Sequence, residues 1–310
     1  MGMDLDDIRE LAEDFATELR RKNRSAKTID GYLTRIRYFA DFLQAKGLPT
    51  EAPEITRDHI GAFIEDLLTR PNRRTGEPLS PEYARGQYRS LQQFFKYLAT
   101  EEIIDTNPFD KMSPPAVPEQ KVPVPSMDAV KALLAECDGV EFVDRRDNAI
   151  IRLFADTGMR CGELAPLEVD SLDFNENTVL VIGKGGRPRT CPFGDKTRTA
   201  LRRYLRVRAK HPGAKNDNPA LWLGYRGTMT DSGIRQMLER RCDAAGIERL
   251  HPHQLRHFFA HTWLDSGGQE QDLMMLAGWR SRQMLARYGA AVADSRAKSA
   301  HRRARLGDKL

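Results

Sequence analysis

Pro108, Pro114, Pro115, Pro118, Pro123 and Pro125 fall in one short stretch that opens at Asn107. Each proline fixes φ at about −65° and removes an amide donor, so no long helix can run through this stretch. It reads as an extended tether between two folded bodies. A length of 310 residues fits two domains better than one. The division expected is a helical N-terminal domain over 1–112, a proline-rich linker over 113–125, and a second domain over 126–310.

The first domain reads as helices joined by short turns. Ile8, Leu11, Phe15 and Leu19 recur at helical spacing. Ser25 is placed to cap a helix that carries Ile29, Tyr32, Leu33, Ile36, Phe39 and Leu43 on one side and ends at Gly47. Thr56 caps a third helix bearing Ile60, Phe63, Ile64 and Leu67. Ser80 followed by Pro81 opens a fourth, with Tyr88, Leu91, Phe95 and Leu98 turned inward. Four such faces make a small bundle.

Past the prolines, Ser126 caps a new helix. Asn148 to Phe154 is apolar and helical, and Gly158 is expected to end that helix in the left-handed conformation. The periodicity then changes. Thr178-Val179-Leu180-Val181-Ile182 is β-rich and is bounded by Asn175-Glu176-Asn177 and by Gly183-Lys184-Gly185-Gly186, so with Arg187 to Phe193 it makes a hairpin or a three-stranded sheet. Helices are expected over Lys196–Lys210, Ser232–Ala245 and His253–Leu264, with shorter ones up to Tyr288. The fold class is therefore α-rich with two domains: a helical bundle, then a mixed α+β domain holding a small antiparallel sheet.

Charge is unevenly placed. Residues 1–110 hold 16 Lys+Arg and 20 Asp+Glu, and the remainder holds 33 and 24 of the chain's 49 and 44. A basic second domain fits a polyanion, since Lys and Arg contacts to phosphates release counterions and supply sequence-independent affinity. No apolar run approaches the roughly 20 residues that cross a bilayer. The acidic start Met1-Gly2-Met3-Asp4-Leu5-Asp6-Asp7 lacks a signal peptide's apolar stretch. Cys137, Cys161, Cys191 and Cys242 stand singly, so a reduced cytoplasmic protein is expected.

Several polar residues stand where ionic chemistry would use them. Arg160 follows Thr157-Gly158 at a helix start, and Glu163, three residues on, is placed to hold it. His253 and Arg256 share one helical turn and can face one phosphate. Arginine offers planar, permanently charged donors for the non-bridging oxygens of a pentavalent phosphoryl transition state. Histidine can shuttle a proton near neutrality. His253, His257 and His261 also recur at i, i+4 and i+8, but Gln254-Leu255-Arg256 fills the interval where a zinc hydrolase carries a glutamate, and the arginine repels a cation. Lys184 lies in Gly183-Lys184-Gly185-Gly186, which is not a P-loop because GxxxxGK[ST] is absent. A free phenol has pKa about 10, so Tyr288 could attack phosphorus only where cationic neighbours favour the phenolate.

Together these segments resemble the tyrosine recombinases, the phage-integrase family, from about Ser25 to the end of the chain. They are Asp156-Thr157-Gly158-Met159-Arg160-Cys161-Gly162-Glu163-Leu164, Gly183 to Arg187, His253-Gln254-Leu255-Arg256-His257, and Leu276-Ala277-Gly278-Trp279 running on to Tyr288. The resemblance implies a SAM-like core-binding bundle and a catalytic domain that clamp opposite faces of duplex DNA. It implies a catalytic set of Arg160, Lys184, His253, Arg256, Trp279 and Tyr288, with Glu163 behind Arg160. Tyr288 would be the nucleophile of a 3′-phosphotyrosyl intermediate, and Lys184 would protonate the leaving 5′-oxygen. Trp279 stands where the commoner family pattern has histidine, which removes one proton carrier. Because the covalent link keeps the phosphodiester's energy, no nucleotide, metal or other cofactor is expected.

Lys27, Arg35, Arg85 and Arg89 are candidate DNA contacts of the bundle, and Arg187 and Arg189 are candidate backbone-phosphate contacts of the hairpin. The implied partners are double-stranded DNA carrying a specific site, three further copies of the chain in a tetramer, and accessory DNA-bending or directionality factors, with no membrane. The implied setting is the nucleoid. A compact, Xer-like or small-integrase type is expected, and the basic tail from Arg296 to Leu310 would dock on a neighbouring subunit or remain a basic arm. Two rivals stay open: a non-cleaving DNA-binding protein on the same fold, and a type IB-like enzyme that relaxes DNA.

Overall fold

The computed structural model describes residues 6–72, 75–118, 123–183, 185–215, 217–225, 227–279, 281, 285, 298 and 301–302. Lys184, Tyr288 and most of the basic tail lie outside the described residues. The chain forms two compact units, 1–119 and 120–310. Residues 112–118 and 123–126 adopt neither helix nor strand, as proline's missing donors require.

In the first unit, α1 (Ile8–Arg21), α2 (Ala26–Ala45), α3 (Arg57–Thr69) and α4 (Pro81–Thr100) follow the expected order. Their starts are chemical. The Ser25 hydroxyl accepts the Thr28 amide at 3.3 Å and the Ser80 hydroxyl accepts the Tyr83 amide at 3.2 Å, with Pro81 at the first helical position. Gly47 follows α2 at φ 65°, a conformation that costs a residue with a Cβ. Phe39 is fully buried, with its ring centroid 5.1 Å from Phe63 and 6.4 Å from Phe95. That aromatic core joins α2, α3 and α4.

The second unit opens with α5 (Met127–Ala135), capped by Ser126, and α6 (Phe142–Thr157). There follow α7 (Cys161–Leu164), β1 (Leu172–Asp173), β2 (Thr178–Gly183), β3 (Arg187–Pro192) and α8 (Asp195–Arg208). The strands pair antiparallel in the order β1-β2-β3, with Gly183 opposite Arg187 at the turn. In β2 the alternation decides the faces: Val179 and Val181 are buried while Leu180 and Ile182 are exposed. A second pair, β4 (Leu223–Gly224) and β5 (Gly227–Thr228), is too short to leave a periodic signal in sequence. Next come α9 (Asp231–Ala244), α10 (Pro252–Asp265) and α11 (Glu270–Ala277). Helix α6 packs against both α8 and α10 and so forms the centre of this unit. Among the described residues no helix is long and apolar enough to cross a membrane.

Helix α6 begins at Phe142, before the expected Asn148, and the polar Arg146 and Asp147 that precede the apolar run are also buried. Arg146 bonds Asp147 at 2.7 Å, and Arg241 of α9 bonds Asp147 at 2.9 Å and Asp144 at 2.7 Å. Asp147 has 3% of its side chain exposed, so its carboxylate holds two arginines in a dry setting. Removing one partner of such a cluster leaves buried charge uncompensated. Asp147→Ala should lower the stability of the second unit by about 3–5 kcal/mol, seen as a fall in the denaturant midpoint of that unit. An unchanged midpoint would show that the cluster contributes nothing net.

Candidate active site

Two glycines create the site by ending helices. Gly158 stops α6 at φ 57°, and a Cβ there would overlap the Phe259 ring. Gly278 stops α11 at φ 65°. Each leaves backbone carbonyls at a helix C-terminus, the negative end of the helix dipole. Arg256 on α10 takes up both ends. Its Nη1 donates to the Gly158 carbonyl at 2.6 Å and its Nη2 to the Ala277 carbonyl at 2.7 Å. The guanidinium carbon lies 5.3 Å from the centroid of the Trp279 ring. Arg256 is only 1% exposed, so the fold holds a full positive charge in place before any ligand arrives.

Arg160 emerges just after Gly158, as the residue capping α7. Its amide donates to Glu163 Oε2 and its Nη1 to Glu163 Oε1, both at 2.9 Å. The Glu163 carboxylate, 6% exposed, is shared: Arg189 Nη2 donates to Oε2 at 2.7 Å. Burial alone would raise the Glu163 carboxyl, but bonds from Arg189 and Arg160 outweigh it and hold the group below the usual carboxylate range. Glu163 is thus bonded to Arg160, and Arg189, expected as a backbone-phosphate contact, is directed to the same carboxylate. Its side chain is 14% exposed and is committed to Glu163 and to the Leu276 carbonyl, at 3.1 Å through Nε. Arg187 does stand exposed, at the turn end of β3.

His253, near the start of α10, is exposed at the mouth of this cluster. Its pKa is lowered, first by partial desolvation and then by the charges of Arg256, Arg160 and Arg235. It is therefore a neutral imidazole at pH 7, able to accept a proton. Arg235 on α9 was not legible in sequence as part of this group, since only the packing of α9 against α7 brings it near. Trp279 is buried beside Phe259, Leu273 and Ala277.

His257, one turn further on, is buried, and desolvation, His253 and Arg256 push it down to about 4. An unfolded histidine titrates near 6.5, so the unfolded chain binds this proton first as pH falls. Stability should hold above about pH 6.5 and decline as pH drops toward 4, by about 2–3 kcal/mol from this residue. Urea unfolding of His257→Asn across that window should show a correspondingly shallower decline; an identical slope would remove His257 as the cause. Among the described residues no three His, Cys, Asp or Glu side chains are grouped to hold a metal ion.

In the first unit Lys27, Arg35 and Arg89 line a groove of about 650 Å³ between α2 and α4, where Arg35 Nη1 donates to Ser90 Oγ at 2.9 Å. Arg85 is half-buried and does not line that groove.

With this geometry in view, comparisons with known proteins agree over most of the chain. A phage integrase family model matches residues 126–295, and a phage integrase N-terminal SAM-like domain model matches residues 11–105. Tyrosine recombinase XerC of Bacillus pumilus (strain SAFR-032) is 33% identical over 289 residues, covering 90% of each chain. Tyrosine recombinase XerD of Corynebacterium glutamicum is 29% identical over 293 residues, or 93% of this chain and 95% of that one. The Tn1549 transposon integrase, solved with transposon right end DNA, has a TM-score of 0.72 at 20% identity over 91% of this chain and 94% of that one. The XerH site-specific recombinase bound to palindromic difH substrate has a TM-score of 0.69 at 18% identity over 95% and 84%. The two structures establish the fold, while the sequence matches establish kinship across both domains. The chain belongs to the phage integrase family and is a tyrosine recombinase.

Proposed function

We propose that this recombinase cuts and rejoins duplex DNA at a specific site with Tyr288 as nucleophile, Arg160 and Arg256 on the scissile phosphate, Lys184 as the acid for the leaving 5′-oxygen, and His253 as the proton acceptor for the phenol. The phenol oxygen attacks phosphorus, the bond to the 5′-oxygen breaks, and a 3′-phosphotyrosyl link and a free 5′-hydroxyl result. Attack by a 5′-hydroxyl on that link reverses the step, with the proton returned to the phenol. The observation that carries this reading is Arg256, a buried cation fixed by two carbonyls at converging helix ends. Preorganised charge of this kind lowers the barrier because nothing must reorient as the oxyanions develop.

Residues 1–112 would act as the core-binding domain and 126–310 as the catalytic domain, with the proline-rich segment between them as the strap. Lys27, Arg35 and Arg89, which line the groove between α2 and α4, are the favoured phosphate contacts of the first domain, and Arg187 that of the hairpin. Four copies would assemble on two sites on nucleoid DNA in the cytoplasm, with accessory factors setting direction. Recombination is favoured over simple relaxation by the match to the integrase N-terminal domain.

The test is covalent capture in EDTA. A duplex site selected from a random-sequence pool by this protein is nicked near the cut, so that the short 5′-hydroxyl fragment diffuses away. A protein–DNA band resistant to denaturing gels should form without divalent metal, because the arginines and Lys184 supply the charge that metal ions supply elsewhere. A cleavage step strictly dependent on metal would overturn the mechanism. Relaxation of supercoils without strand exchange between two sites would select the DNA-relaxing rival.

A further inference from the structure

Arg189 is the side chain that the reading above leaves without work. It stands on β3 opposite Val181, two residues beyond the Gly183–Arg187 pair that closes the hairpin turn. Cross-strand partners share a face, so the pleat sets it on the same side as buried Val181 and Cys191, and its guanidinium reaches segments distant in sequence. Its Nη2 bonds Glu163, the carboxylate that also holds Arg160. Its Nε bonds the Leu276 carbonyl at 3.1 Å, at the end of α11. Its Cδ, Nε and Cζ lie 3.4 Å from where a Cβ on Gly278 would stand, directly before Trp279. Its Nη1 lies 3.5 Å from the corresponding point on Gly183, directly before Lys184. One guanidinium therefore borders the residues that lead into each of the other assigned elements: Arg160, Lys184 and Trp279.

We infer that Arg189 is a positioning residue for cleavage, fixing the β2–β3 hairpin, and with it Lys184, against the Glu163–Arg160 pair and the end of α11. The inference rests on the assignment of Lys184 and Arg160 made above. Arginine is needed because its two hydrogen bonds, to Glu163 and to the Leu276 carbonyl, leave from different nitrogens of one rigid plane; a lysine ammonium is a point charge on a flexible stem and cannot reproduce both geometries. The carboxylate of Glu163 stays charged so that the link persists, its two arginine partners offsetting the cost of burial. Gly278 is called for by its φ of 65°, and the guanidinium packs beside it at ordinary van der Waals distance.

The experiment is a double-mutant cycle on the full chain, using the nicked selected site at saturating protein so that the rate of the bound complex is read. Arg189→Met should cleave roughly 10²-fold more slowly, the scale expected when catalytic groups shift by about 1 Å, with DNA affinity and its salt dependence unchanged. Combined with Lys184→Ala, it should add far less than its own single effect, because the two act through one another. Arg189→Lys keeps the ion pair with Glu163 and guards against simple unfolding; it should fold with a wild-type melting profile and still cleave slowly. A fully active Arg189→Lys would overturn the inference, as charge alone would then suffice. So would multiplying losses in the double variant, or weakened DNA binding with normal cleavage once bound, which would return Arg189 to the phosphate-contact role. If Lys184→Ala itself cleaves normally, the active-site assignment fails first and the inference falls with it, a result distinct from all the others.

Discussion

Tyr288→Phe should form no covalent adduct with a nicked DNA site while binding that DNA as wild type does. The change removes one oxygen and leaves the ring, so packing and the basic surfaces that attract phosphate are preserved. Without that oxygen no phosphorus–oxygen bond to the protein can form, and the loss should be complete rather than graded. The comparison is made on denaturing gels beside a native binding titration. An adduct of undiminished yield from the Phe variant would mean that another nucleophile does the chemistry. Loss of DNA binding in parallel would mean that the tyrosine is structural.

Lys184→Ala should slow cleavage of an ordinary phosphodiester by about 10²–10⁴-fold, the range typical of a missing general acid. The same variant should cleave a substrate with a 5′-bridging sulfur almost as fast as wild type, because a thiolate leaves without first receiving a proton. Arg160→Ala should be slow on both. Its charge serves the non-bridging oxygens, whose demand is the same whichever atom leaves. Equal defects of Lys184→Ala on oxygen and sulfur substrates would make the lysine a DNA contact. The proton donor would then be sought at His253, whose pKa partial desolvation and then the neighbouring arginines lower, and which would first have to take up a proton.

Local chemistry made much of the fold legible in advance. Ser25, Ser80 and Ser126 cap helices in the structure as their spacing to apolar residues implies, since a cap is a bond between a side chain and an amide three residues away. Gly158 ends α6 in the left-handed region for an equally local reason. The β2–β3 hairpin was visible because alternation and turn residues lie in one continuous stretch. The proposed catalytic residues were picked out by motifs and their resemblance; of them, Arg160, Glu163, His253, Arg256 and Trp279 fall in one neighbourhood, while Lys184 and Tyr288 lie outside the described residues.

Other features had no local cause. The helix was expected from the apolar run Asn148–Phe154, and α6 reaches back to Phe142 with Arg146 and Asp147 buried against Arg241. Arg189 was expected to contact a backbone phosphate; the pleat sets it on the face of buried Val181 and Cys191, and only Glu163 and Leu276, from distant parts of the chain, supply its partners. That Arg256 is a buried cation held between two helix ends could not be read from its helix either, because Gly158 and Ala277 lie far away in sequence. The physical reason is the same in each case. Turns, caps and periodicity follow from bonds a few residues long and are written in the residues that make them. The state of a charged side chain depends on which groups replace its water, and only the tertiary structure decides that.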